Sequence, residues 1–214
     1  MSDETPLQQA ENEGAALATE RIMLFTDAVV AIAITLLALE LPVPEGNTNA
    51  ELLHSVAGSR GEYISFLISF VVIWGYWSGH RMLFQYLSRF DRLLSALNGL
   101  WLLMLVVTPF ATKVLDGDGA FQARFGFYAA IQAIASLLLL AMAWHIRRAE
   151  LYREGTPPER LSRSMIRPGV IAAAFAVSIP ISFATQAAYA CWIAVPFLVR
   201  FAMRWARPAA VSGR

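Results

Sequence analysis

Charge is what this sequence has least of. Lys, Arg, Asp and Glu make up 15% of its 214 residues, against 57% hydrophobic residues and a mean hydropathy of +0.51. A soluble domain of this length cannot cover its surface with so little charge. Cysteine is nearly missing too, and a lone Cys191 excludes an internal disulfide. The three histidines, His54, His80 and His145, fall in separate segments. No metal-ligand spacing joins them to Cys191, so the expectation is no enzyme and no cofactor. Period-2 alternation is absent from the apolar runs, which excludes a transmembrane β-barrel. A net charge of +1 leaves no nucleic-acid footprint. The first twenty residues hold Asp3, Glu4, Glu11, Glu13 and Glu20. That is the opposite of the basic start of a signal peptide, and residues 1–20 are expected to form a polar cytoplasmic tail.

What remains is a set of uncharged runs about a bilayer long, which reads as an all-α polytopic membrane protein. Six spans are predicted. The first runs from about Ile22 to Leu41 and is stopped by Pro42 and Pro44. The second covers Tyr63 to His80, the third Leu93 to Ala111 with Pro109 near its end, and the fourth Phe121 to Ile146. From Gly169 to Met203 only Arg200 is charged, over 35 residues. One helix that long would measure about 50 Å against a hydrocarbon core of about 30 Å. The run must therefore fold back, within Ser182 to Ala188, with Pro180 and Pro196 as candidate bends. The membrane-spanning part is expected to cover residues 21–206, followed by a short cytoplasmic tail at 207–214. With both termini in the cytoplasm, 14 of the 17 Lys and Arg lie on that side, leaving Arg60, Lys113 and Arg124 outside. So strong an asymmetry sets the expected orientation.

The first span, RIMLFTDAVVAIAITLLALEL, keeps an acid among its apolar residues. Asp27 in a membrane helix costs up to about 3 kcal/mol at mid-depth and less near an interface. On residue type alone it is either a helix-start acid favoured by the helix dipole, beside a snorkelling Arg21, or a buried acid that needs donors. Downstream, Ala28, Ile32, Thr35, Leu36 and Leu39 recur on one helix face. Asp27, five residues before Ile32, points about 140° away from that face. Candidate partners for the acid lie on the next two helices. Trp77 and His80 share a face of the second, and Asn98 is an amide in an apolar stretch of the third. A cluster of Arg21, Thr26, Asp27, His80 and Asn98 would satisfy all of them together.

Arg21-x-x-x-Phe25-Thr26-Asp27 followed by AVVAIAITLLALELPVP resembles the signature of the transmembrane protein 175 family, whose usual form has Ser where Thr26 stands. Trp77-x-x-His80, Asn98 and Pro109-Phe110 are similar to the family's second and third helices. The resemblance covers residues 20 to 112, and the single six-helix unit fits the prokaryotic members. It implies a potassium-permeable channel without a carbonyl-lined filter, and no TVGYG-like sequence occurs. It further implies a homotetramer in a prokaryotic inner membrane, with the first helices lining a central pore. Carried over by distance from the Phe-Thr-Asp motif, Ile32 becomes the constriction, Thr35 a hydroxyl ring, and Leu36 and Leu39 further apolar rings. Arg21, Phe25, Thr26, Asp27, Trp77, His80 and Asn98 would then hold the pore helices in place. Glu40, near the outer mouth, is either a cation-concentrating acid or an ordinary solvated one. The competing class is a proton-coupled secondary transporter using Asp27 and His80.

Overall fold

The computed structural model describes residues 5–153 and 155–205. It is all-helical, with no strand among the described residues. The helices are α1 (Pro6–Leu39), α2 (Asn49–Gly58), α3 (Arg60–Phe84), α4 (Arg92–Asp116), α5 (Phe121–Arg148), α6 (Pro158–Ala184) and α7 (Ala190–Trp205), with a 3₁₀ turn at Gln186–Tyr189 before the last. Among the described residues, four helical stretches are long and apolar enough to cross a bilayer: Leu17–Leu39, Arg92–Asp116, Phe121–Arg148 and Ser164–Ala184. The number rises to six if two bent pairs each make one span. These pairs are α2 with α3, bent by 58°, and residues 186–195 with 197–205, bent by 44°.

Several boundaries differ from the sequence reading. Helix α1 begins at Pro6, not near Ile22, because QQAENEGAALATE is rich in good helix formers and a proline suits the first helical position. The connection after Pro44 contains α2, which Thr48 caps: its Oγ1 accepts from the Glu51 N–H at 3.2 Å. Glu51 reaches back to accept from the Asn47 N–H at 2.8 Å. Helix α4 runs through Pro109 to Asp116 instead of stopping near Ala111. Membrane helices tolerate such a proline, since neighbouring Ser and Thr hydroxyls help satisfy the freed backbone. Helix α6 likewise continues through Pro168 and Pro180, and the chain breaks at Thr185, which is extended. The indole N–H of Trp192 then donates to Ser178 Oγ at 2.9 Å, tying α7 back onto α6. The tail at 207–214 lies outside the described residues.

Helix α5 is the centre of the bundle, packed between α4 and α6, while α1 lies at the edge against α3 and α4. Half of the most apolar window of α5 is buried inside the chain, but only 22% of that of α1. The core holds Tyr76, Trp101, Phe125, Tyr128, Phe175 and Leu105, all fully buried. One end of the bundle is clasped by a single antiparallel bridge between Leu87 and Tyr152, with Ser88 N–H donating to the Leu151 carbonyl at 2.8 Å. Asp91 caps α4 at that end, accepting from the Leu94 N–H at 2.7 Å. Its second oxygen pairs with His145 Nε2 at 2.7 Å. Arg89, Arg92, Arg147, Arg148 and Arg153 flank the clasp, and Lys113, Arg60 and Arg124 belong to the opposite end.

Polar groups inside the bundle are connected in chains. Thr112 gives its hydroxyl proton to the Thr108 carbonyl, so Ser69, 2.8 Å away, must donate to Thr112. Tyr128, 3.0 Å from Ser69, then donates to it. A turn away, Tyr76 donates to the Gln132 carbonyl at 2.7 Å and receives the Ser136 hydroxyl at 2.8 Å. In hydrocarbon such bonds replace the water these groups would otherwise hold.

Candidate functional site

Helix α1 presents two faces with opposite fates. Thr26, Val30, Ala33 and Leu37, spaced by three or four residues, are buried against α3 and α4. Ala28, Ile32, Thr35, Leu36 and Leu39 are exposed, with Ile32 at 57% and Leu39 at 79%. The exposed side has no cover within the described chain. Thr35 does not hold its hydroxyl out as a donor. Its Oγ1 donates to the Ile32 carbonyl at 2.9 Å, leaving only oxygen lone pairs facing outward.

The buried face is fixed by a hydrogen-bonded chain. Asn98 Nδ2 donates to Thr26 Oγ1 at 3.0 Å, and both residues are buried. That orientation turns Asn98 Oδ1 toward His80, 2.9 Å from Nε2, so Nε2 carries the proton and donates. The imidazole is stacked between Phe84, at 3.8 Å between ring centroids, and Trp101, at 4.7 Å. Three helices, α1, α3 and α4, are thereby joined through one amide.

Asp27 stands apart from this chain, which corrects the expectation of one five-residue cluster. It is exposed within the subunit, and its Oδ1 accepts from the indole N–H of Trp77 at 2.8 Å. The reason is angular: Thr26 occupies the position that faces α4, and the next residue turns about 100° away, toward the outer side of α3. Arg81 lies over the Trp77 ring, with Cζ 5.4 Å from its centroid. Arg21 and Phe25 are exposed and belong to neither group. Asp27 and Arg81 open onto a cleft of about 890 Å³ at the clasped end, together with Glu20, Ser88 and Arg153. At the other end Glu40 forms a short ion pair with Lys113. Glu40 is therefore not a free acid at a mouth, and an exposed pair of this kind contributes little to stability.

The sequence reading missed the Asp91–His145 pair and the polar chains through Ser69, Tyr76, Tyr128 and Gln132. Their signal is present as stripes. Ser65, Ser69, Tyr76 and His80 fall on one face of α3, and the pairs Thr108/Thr112 and Gln132/Ser136 each stand four apart.

The fold, with its long apolar helices, defines a polytopic α-helical membrane protein. The structure matches that of a lysosomal potassium-selective channel TMEM175 homolog from Chamaesiphon minutus with a TM-score of 0.69, at 24% identity. The match covers 89% of this chain and 99% of that one. A variant of the potassium channel MtTMEM175, solved with a nanobody–MBP fusion, matches at a TM-score of 0.57 and 20% identity, over 87% and 89% of the two chains. At these identities the likeness is one of fold. Residues 21–109 match the sequence profile of the family described as the endosomal/lysosomal potassium channel TMEM175. A potassium channel of Streptomyces collinus is 32% identical over 179 residues, 78% of this chain and 86% of that protein. A potassium channel of Chamaesiphon minutus is 38% identical over 99 residues, 45% and 49% of the two chains. The chain belongs to the TMEM175 family. Its relatives are channels and it is not an enzyme.

Proposed function

We propose that this chain forms a potassium-permeable cation channel, a homotetramer in which α1 of each subunit lines a central pore. The supporting observation is the exposed face of α1. A helix at the edge of its own subunit, anchored on one side by Thr26, Val30, Ala33 and Leu37, leaves Ile32, Leu36 and Leu39 uncovered. Four such faces around an axis would enclose a narrow apolar tube. Ile32 is the constriction in this reading, and four of its side chains exclude water, so the closed state is a dewetted one. Thr35 offers hydroxyl oxygens to a passing cation, and Leu36 and Leu39 narrow the path further. Tilting α1 would widen the tube and admit partly hydrated cations, with potassium favoured because it sheds water more readily than sodium.

The Thr26–Asn98–His80 chain and the Asp27–Trp77 bond would be the clamp that fixes α1 relative to α3 and α4, outside the ion path. Six spans and cytoplasmic termini complete the proposal, resting on the arginine asymmetry, and a prokaryotic inner membrane rests on the bacterial relatives. Residues 21–206 would form the channel, with 1–20 and 207–214 as cytoplasmic tails. A proton-coupled carrier using Asp27 and His80 finds less support. The two groups stand in separate networks, and α1 runs from Pro6 to Leu39 without interruption.

The test is potassium flux from liposomes holding the purified protein, wild type against Ile32→Asn. Flux down the gradient that increases in the variant supports a hydrophobic constriction at Ile32. Flux absent from both, in protein shown to be assembled, would overturn the channel reading.

A further inference from the structure

One arginine inside the helical bundle has no partner among the described residues. Arg167 is half-buried on α6, one turn into the candidate span Ser164–Ala184. Among the described residues its guanidinium makes no hydrogen bond and no ion pair. Nor does it aim for the end of the neighbouring helix as a snorkelling arginine would. Its Nη2 lies against Gly75, in the middle of α3, where an added Cβ would stand 3.2 Å from it. The glycine is what lets the guanidinium approach the α3 backbone. Gly79, one turn on, leaves the same face shallow beside Leu139.

These residues line an open-sided cleft of about 350 Å³ between α3 and α6, with Met203 of α7 also in its wall. No residue of α1 takes part, so the cleft is separate from the proposed pore face. Leu139, Ile171 and the two glycines make an apolar wall alongside the single positive charge. A guanidinium held against the middle of a neighbouring membrane helix, with no partner among the described residues, carries a desolvation cost. Intramembrane arginines ordinarily meet an anion. A soluble anion would satisfy the charge but not the wall. An occupant with a phosphate at one end and hydrocarbon at the other satisfies both, and basic pockets between membrane helices take such head groups.

We propose that this cleft seats an anionic phospholipid, its phosphate on Arg167 and an acyl chain along the Gly75–Gly79 face of α3. The assembled full-length protein in detergent is titrated with phosphatidylglycerol or phosphatidylcholine. Retained lipid is read by native mass spectrometry and the unfolding midpoint by thermal scan. The wild type is expected to retain phosphatidylglycerol over phosphatidylcholine by about tenfold, the scale of one charge-assisted contact, and to melt several degrees higher with it. Arg167→Gln loses both effects. Arg147→Gln, which removes an exposed arginine at the same end of the bundle, keeps both. Without lipid, Arg167→Gln is expected to melt no lower than the wild type, since it removes an unpaired charge. Equal retention of the two lipids by the wild type, or an undiminished preference in Arg167→Gln, would overturn the proposal. So would a lower lipid-free midpoint or a split oligomer in Arg167→Gln, because either reveals a protein partner for the charge. None of these readouts depends on ion flux, so the lipid seat and the channel reading can fail separately.

Discussion

Asn98 makes two bonds that few side chains of its size can make at once, donating to Thr26 and accepting from His80. Asn98→Ala would leave a hydroxyl and an imidazole N–H without partners in an apolar interior. Each such orphan costs about 1–3 kcal/mol. The expected result is a clearly lower unfolding midpoint in detergent, with less intact oligomer on gel filtration. Asn98→Leu, similar in volume but without either bond, should be no better. Asp91 supports a second residue-scale prediction. Although burial opposes the charge, the Leu94 N–H and the nearby His145 and Arg89 hold its carboxyl below the ordinary aspartate range. A carboxyl depressed in the fold adds stability that is present above its unfolded pKa and lost as pH falls through the folded one. The midpoint of the wild type should therefore drop on acidification toward and below the usual aspartate range. Asp91→Asn should start lower at neutral pH and show a shallower drop.

At the scale of the element, α1 is a helix whose two faces should answer mutation differently. Ala33→Leu forces three extra carbons into a position that is 1% exposed, and over-packing of this kind costs about 1–3 kcal/mol. It should lower stability and assembly, whereas Ile32→Ala on the opposite face should leave the midpoint near wild type and alter conductance. Equal loss of stability in both would contradict the division. Part of this helix was legible in the sequence: spacing set Ile32 and Leu36 on one face, but Asp27, expected among neighbouring helices, is exposed as well. The partner of Asp27 was not legible as such. Trp77 could be placed near it, but only the packed angle of α3 directs the indole to Asp27 and leaves the imidazole for Asn98. Helix α2 escaped notice because it buries nothing and so has no apolar period, although Thr48-x-x-Glu51 is a capping signature. The fold-back at Thr185 was legible from length, a constraint that no side chain needs to encode.

For the whole molecule, the structure gathers the connections 86–91 and 149–153 at one end of the bundle, and Glu40 and Lys113 at the other. The proposed orientation in the bilayer, with the clasped end in the cytoplasm, rests on the arginines at that end. Because Cys191 is the only cysteine, a Cys191→Ser background gives a clean test. In intact cells, Glu45→Cys and Asp118→Cys should react with a membrane-impermeant thiol reagent, and Glu150→Cys should react only after permeabilisation. The reverse pattern would invert the orientation.

The placement of Ile32 in an ion path is tested most directly in that same background, by thiol block of potassium flux in liposomes. Ile32→Cys and Val30→Cys differ by two positions and about 200° around α1, so one side chain faces the proposed pore and the other the subunit core. The prediction is that a small cationic thiol reagent blocks flux through Ile32→Cys and leaves Val30→Cys unaffected. Unchanged flux through Ile32→Cys, with mass spectrometry showing the cysteine fully modified, would contradict it.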